Sequence, residues 1–158
     1  MSIDRRHIGL ALPVFTVEVT AERLTAFARA IGETAPRFAA EIAPPTFLKV
    51  IEGENNSSRA ILVALGVQLK HVLHAEQEFH YVSPVRIGDL IGVERRVVDI
   101  YDKRNGAMEF IVIESVMTVM NGAVQTVAGR SRQIVLVRNP AKPLASDAAS
   151  APAARAAA

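Results

Sequence analysis

From Leu69 onward the sequence adopts a period of two, and this run constrains the fold more than any other. In Val72 to Val82, Ala75, Gln77, Phe79 and Tyr81 fall on one side of a strand and His74, Glu76, Glu78 and His80 on the other. Leu90 to Tyr101 is a second strand, and Ala107 to Met120 a third, apolar on both faces as befits the middle of a sheet. Ala123 to Val137 is a fourth. Ser83-Pro84 and Ile87-Gly88-Asp89 punctuate a turn, while Asn105-Gly106 and Asn121-Gly122 carry the strongest short hairpin signal. Three strands of about 12–14 residues, each spanning roughly 40 Å, make a meander that must twist and curl. One buried helix is the economical cover for its concave side.

That helix is expected in Ala43 to Gly66. Pro44 and Pro45 suit a helix entrance, where missing N–H groups cost nothing. Phe47, Leu48, Val50 and Ile51 fill the next turns, and Gly53 to Ser58 reads as a break. Ser57 or Ser58 then caps a second piece, Ala60 to Leu65, ended by Gly66. This piece is apolar on every side, which predicts burial all round. Before it, Phe15 to Val19 alternates as a short strand. Thr20 stands as N-cap of a helix whose Leu24, Phe27, Ala28 and Ile31 form one apolar face, with Gly32 as its stop. Glu33 to Phe38 is an irregular loop.

The expected organisation is a single α+β domain over residues 1–138, with an Ala/Pro-rich tail, 139–158, too poor in side chains to bury to order itself. A chain of 158 residues, 50% apolar and 22% charged, is long enough for one proper core. No apolar run approaches the roughly 18 residues of a membrane helix. The N-terminal apolar stretch is short and interrupted by Pro13 and Glu18, so neither a membrane span nor a signal peptide is expected. With no cysteine there is no disulfide framework and no thiolate chemistry, which is compatible with a reducing cytosol; a cytoplasmic location is the expectation. A net charge of +2, two Tyr and no Trp argue against nucleic-acid binding.

A strand, a short helix, a central buried helix and a long meander make the plan of a hot-dog fold. The run AIGETAPRF, then APPTF, then LHAEQEFHYVSPVRIGD, with AGR in the last strand, resembles the MaoC-like dehydratase family, in particular the N-terminal or non-catalytic type of domain in (R)-specific 3-hydroxyacyl thioester dehydratases. The resemblance covers about residues 10–137. It implies a long antiparallel sheet wrapped around a central helix, and a role on 3-hydroxyacyl or trans-2-enoyl thioesters of CoA or an acyl carrier, without a metal or other cofactor. It also implies a homodimer, or a heterodimer with a catalytic MaoC-like subunit. Catalytic members carry Gly-Asp-x-Asn-Pro-x-His after the short helix, where Asp and His share the acid and base work on one water. A backbone N–H at a helix start polarises the thioester carbonyl. Here Gly32 and Pro36 stand, but Glu33 replaces Asp, Ala35 replaces Asn and Phe38 occupies the His position. The polarising turn aligns with Pro44-Pro45, which has no N–H to give.

This points to the non-catalytic, channel-shaping protomer of such an enzyme. The alternatives are a self-sufficient hydratase or hot-dog thioesterase with a rebuilt site, Glu33 with His74, or an acyl-CoA-binding module without turnover. Glu33 as a surviving base competes with an exposed loop carboxylate, and His74 as a catalytic group with a structural role in a dimer sheet. Thr46 could offer a hydroxyl near the thioester, and Phe47 and Phe27 could line an acyl channel or simply belong to the core. His74, Glu76, Glu78 and His80 are spaced too widely along one strand for adjacent metal ligands. Arg86, Arg104, Arg130 and Arg132 are candidate phosphate contacts that no spacing separates, and Asp89 reads as a turn cap.

Overall fold

The computed structural model describes residues 2–33 and 41–142. In chain order the elements are β1 (Phe15–Glu18), α1 (Ala21–Ala30), α2 (Phe47–Gly53), α3 (Ser57–Ala64), β2 (Val72–Tyr81), β3 (Leu90–Lys103), β4 (Met108–Val119) and β5 (Thr126–Arg138). The strands form one antiparallel sheet ordered β1-β3-β4-β5-β2. The meander β3-β4-β5 is therefore its middle, and β1 and β2 are its edges. With α2 and α3 against its inner face, this is the α+β hot-dog arrangement. The loop from Thr34 to Ala40, including Ala35, Pro36 and Phe38, and the tail from Pro143 onward lie outside the described residues.

Local chemistry explains most boundaries. Thr20 caps α1, its hydroxyl accepting from the Arg23 N–H at 3.3 Å, and Gly32 ends the helix region at φ +70°. Arg104, Asn105 and Gly106 all take left-handed φ values, so this Asn-Gly turns β3 tightly into β4. The second Asn-Gly does different work. The Asn121 side-chain oxygen accepts from the Leu90 N–H at 2.9 Å, and its amide donates to the Gly88 carbonyl at 2.8 Å. Asn121 thus ties the end of β4 to the start of β3, and β5 begins only at Thr126, not at Ala123.

Three further expectations are corrected. Neither serine caps α3: left-handed Asn56 holds the N-cap position without a side-chain bond, and the Ser57 hydroxyl instead donates to the Glu52 carbonyl. Nor is α3 buried all round. Ile61 and Leu62 are buried, but Val63 is 60% exposed and Ala60 and Ala64 are exposed as well, because the sheet covers only one side of the helix. Ordered structure also continues past residue 138. Asn139 is buried, its N–H donating to the Ala107 carbonyl at 3.0 Å, and Lys142 Nζ reaches the Asn105 carbonyl at 3.0 Å.

The core has two parts. One joins α3 to the β3–β5 residues Val97, Ile100, Ile111, Ile113, Val135 and Val137. The other joins Leu24 of α1 and Phe47, Leu48 and Ile51 of α2 to Val17, Ile91, Val93 and Met117. One-sided burial of α3 makes a direct prediction for urea unfolding. Ile61→Ala, at a fully buried position, should cost about 2–5 kcal/mol, whereas Val63→Ala should stay within about 0.5 kcal/mol. Equal losses would restore the all-round burial expected from composition.

Candidate functional site

The entrance of the central helix is fixed by a short ladder. The Ala43 N–H donates to the Val85 carbonyl at 2.8 Å, the Ile87 N–H donates to the Glu41 carbonyl at 3.0 Å, and Ile42 bridges to Arg86. Asp89 caps the adjacent turn by accepting from the Arg86 N–H at 2.7 Å. Pro44 and Pro45 then lead the chain into α2, with the Phe47 N–H donating to the Pro44 carbonyl at 2.9 Å. Between this entrance and the end of β2 lies a cavity of about 500 Å³, lined by Ile42, Ala43, Pro44, Pro45, Leu48, Tyr81, Val82, Ser83, Pro84 and Val85. None of these side chains is a carboxylate, an imidazole or a cation. The Ser83 hydroxyl is spent on the Val127 carbonyl at 3.2 Å, and burial pushes the Tyr81 phenol up. The AGR motif borders the same place: a Cβ at Gly129 would come within 2.8 Å of Leu48 Cδ1, so glycine lets α2 press onto β5.

Behind the entrance, a buried polar centre joins the break in the helix to the sheet. Arg95 on β3 is almost wholly buried, and its Nε donates to Ser115 Oγ at 3.1 Å. Nη1 reaches the Glu52 carbonyl at 2.9 Å, Ser57 Oγ at 2.7 Å and Ser58 Oγ at 2.9 Å, and Nη2 reaches Gln133 Oε1 at 3.0 Å. Glu52, at 0% exposure, accepts from Lys49 Nζ at 2.6 Å and from the Ser131 hydroxyl. Burial pushes the Glu52 carboxyl up, but the Lys49 and Ser131 hydrogen bonds and the Lys49 and Arg95 charges outweigh it and hold the group below its ordinary value. Burial also pulls the Arg95 guanidinium down, against the pull of the Glu52 charge, yet an arginine stays protonated. Nothing in the periodicity announces this centre. Its signal was a charged residue, Arg95, on the strand side shared with Val93 and Val97.

The sequence-derived candidates are scattered by comparison. Phe27 and Phe47 meet edge to face with centroids 5.4 Å apart, and Phe47 is 1% exposed within the core. Thr46 is exposed and makes no capping bond. None of the three lines the cavity, whose walls include Leu48 and Tyr81–Val85 instead. Glu33 directly follows Gly32, its N–H donating to the Ala28 carbonyl at 2.8 Å. His74 is exposed near the other end of the sheet, seven residues or roughly 23 Å of strand from Tyr81. Leu24 and Phe27 of α1 pack in one half of the core and Val72, beside His74, in the other, so the geometry does not bring Glu33 and His74 together within this protomer.

His74 also leaves the face on which it was expected. A bulge at Ala75 sets His74 opposite Val135 but Glu76 opposite Ile134, which puts it out of phase with Glu76, Glu78 and His80. Its Nε2 lies 3.1 Å from the Glu76 carbonyl oxygen. Among the described residues no group of three or more His, Asp or Glu converges as metal ligands. Arg130 and Arg132 point to the outer face of β5, opposite His80 and Glu78, and neither they nor Arg86 and Arg104 line the cavity. No helix among the described residues is long and apolar enough to cross a membrane.

A family model for the FAS1-like dehydratase domain region matches residues 6–127. A UPF0336 protein of Cutibacterium acnes is 30% identical over 108 residues, covering 66% of this chain and 76% of its own. Among solved structures, the C-terminally truncated HadBC (3R-hydroxyacyl-ACP dehydratase) complex from Mycobacterium tuberculosis superposes with a TM-score of 0.65 at 19% identity, over 86% of this chain and 99% of that one. The unliganded R-hydratase PhaJ1 from Pseudomonas aeruginosa gives 0.59 at 17% identity, over 83% and 81%. At these identities the structures speak for the fold alone.

The buried centre predicts an acid-sensitive fold. Because the folded carboxyl of Glu52 lies below its ordinary value of 4.5, its ionised form stabilises the protein above that pH, and the contribution is lost as pH falls through the lower folded value. Glu52→Gln should be less stable at pH 7 and should lose that part of the acid dependence in thermal melts. Arg95→Met, which strips the donors from buried acceptors, should cost about 3–5 kcal/mol in urea unfolding.

Proposed function

Because the chain belongs to the FAS1-like dehydratase region of the MaoC-like hot-dog family, we propose that it is a subunit of a hydro-lyase acting on 3-hydroxyacyl and trans-2-enoyl thioesters, and that it shapes the acyl channel for a second hot-dog protomer carrying the Asp and His. The observation that carries this reading is the cavity at the helix entrance. It has the size and apolar lining to hold an acyl chain, and among the described residues its wall carries no carboxylate, imidazole or amine to serve as a base. Pro44 and Pro45 have no amide N–H to turn toward a thioester carbonyl. Glu33, where catalytic relatives place Asp, has no imidazole beside it in the sequence pattern, since Phe38 stands at the His position.

A two-chain arrangement is supported by the sheet topology. β2 is an edge strand bordering the cavity, and an unpaired edge is satisfied by pairing with another sheet. The HadBC complex, a 3R-hydroxyacyl-ACP dehydratase, is a two-component assembly of this fold. The substrate is a thioester of CoA or of an acyl carrier; the role of this protomer is to bind and align the acyl chain, and the proton transfers belong to its partner.

The test is hydration of trans-2-enoyl-CoA by the chain together with a MaoC-like protein bearing the Asp/His signature, compared with that protein by itself. Activity should rise on mixing, remain when Glu33 is changed to Ala, and vanish when the partner's His is changed. Ala43→Phe, which narrows the cavity, should lower kcat/KM for an octenoyl thioester about tenfold more than for a crotonyl thioester. Loss of activity in Glu33→Ala with the partner intact would place the base in this chain and overturn the reading.

A further inference from the structure

The cavity at the helix entrance has two polar side chains on its wall, Tyr81 and Ser83, and they are not equivalent. The Ser83 hydroxyl donates to the Val127 carbonyl at 3.2 Å, so its one proton is committed. No hydrogen bond among the described residues uses the Tyr81 hydroxyl. The other wall side chains, such as Ile42, Leu48, Val82 and Val85, are apolar. Tyr81 is therefore the uncommitted side-chain donor of the described wall.

Its placement follows from the strand. Phe79 and Tyr81 share the inner side of β2, and Phe79 packs against the half of the core that holds Leu48. The Tyr81 ring stacks on Phe79 with centroids 5.8 Å apart and planes at 28°, which restricts where the phenol can point. At 48% exposure Tyr81 stands at the mouth of the cavity and not in its apolar depth. Partial burial pushes the phenol up, so at neutral pH it keeps its proton and acts as a donor.

In an apolar pocket the few polar groups fix the orientation of the ligand. An acyl chain laid into this cavity leaves its thioester at the mouth. Of the two heteroatoms there, the carbonyl oxygen is a strong acceptor and the sulfur a weak one. We infer that the Tyr81 hydroxyl donates to the thioester carbonyl oxygen of the bound acyl group, and that it makes this protomer select acyl thioesters over equally apolar chains without a carbonyl. This rests on the acyl-binding reading above and adds to it the residue that sets where the chain stops.

The test titrates the full chain by calorimetry with octanoyl-CoA and with S-octyl-CoA, the thioether in which a CH2 replaces the carbonyl. The natural chain should bind the thioester about five- to tenfold more tightly, the worth of one hydrogen bond. Tyr81→Phe keeps the ring and its stacking, so its melting temperature should be unchanged, and it should bind the two ligands equally. Octanoyl-CoA isotopically labelled at its carbonyl carbon should show a lower carbonyl stretching frequency on the natural chain than on Tyr81→Phe, a signature that a merely structural ring does not produce. Equal affinities on the natural chain, or a preference that survives Tyr81→Phe, would overturn the inference and leave the acyl-binding reading standing. Binding of neither ligand would overturn that reading, and this inference with it.

Discussion

Arg95 ties the break in the central helix to the middle of the sheet, and the placing of the helix entrance depends on that tie. The guanidinium spends its donors on a carbonyl and two hydroxyls at the α2–α3 break and on side chains of β4 and β5. Apolar contacts would hold a helix in a curled sheet at several rotations. A fork of directional bonds accepts one. The carboxylate of Glu52, reached by Lys49 and Ser131, supplies the countercharge that makes burying a cation tolerable.

With the break pinned, the N-terminal end of α2 is held against the end of β2 and the Val85–Ile87 ladder. Two prolines and a leucine then meet the Tyr81–Val85 segment, and the space between them is apolar. Proline gives the helix a clean start and withholds amide donors at that start. The same residues set the shape of the cavity and offer no backbone N–H at its mouth. On the proposed reading, such a protomer aligns an acyl chain and the groups that act on the thioester come from a second chain.

Much of the scaffold was legible. The period of two, Asn105-Gly106, the Thr20 cap and the Gly32 stop each state a local preference that tertiary packing left unchanged. What escaped depended on neighbours distant in sequence. Val63 is apolar but faces away from the sheet, Ala75 adds a bulge that shifts His74, and Asn121 uses its amide to clip β3 and not to make a tight turn. The site was less legible. Phe38 and Pro44-Pro45 mark departures from the signature of the resembled family, whereas the cavity wall at Leu48 and Tyr81 exists because β2 pairs with β5, a long-range choice that periodicity does not encode.

The central claim is that this chain holds an acyl thioester without moving its protons. Incubating the chain alone with trans-2-octenoyl-CoA in deuterated buffer, and following both hydration and deuterium entry at C2 of the product by mass spectrometry, tests it most directly. The account predicts no product above the uncatalysed background, together with saturable binding of the thioester that Ala43→Phe weakens. Deuterated 3-hydroxyacyl product formed by the chain alone, and abolished in Glu33→Ala, would contradict it.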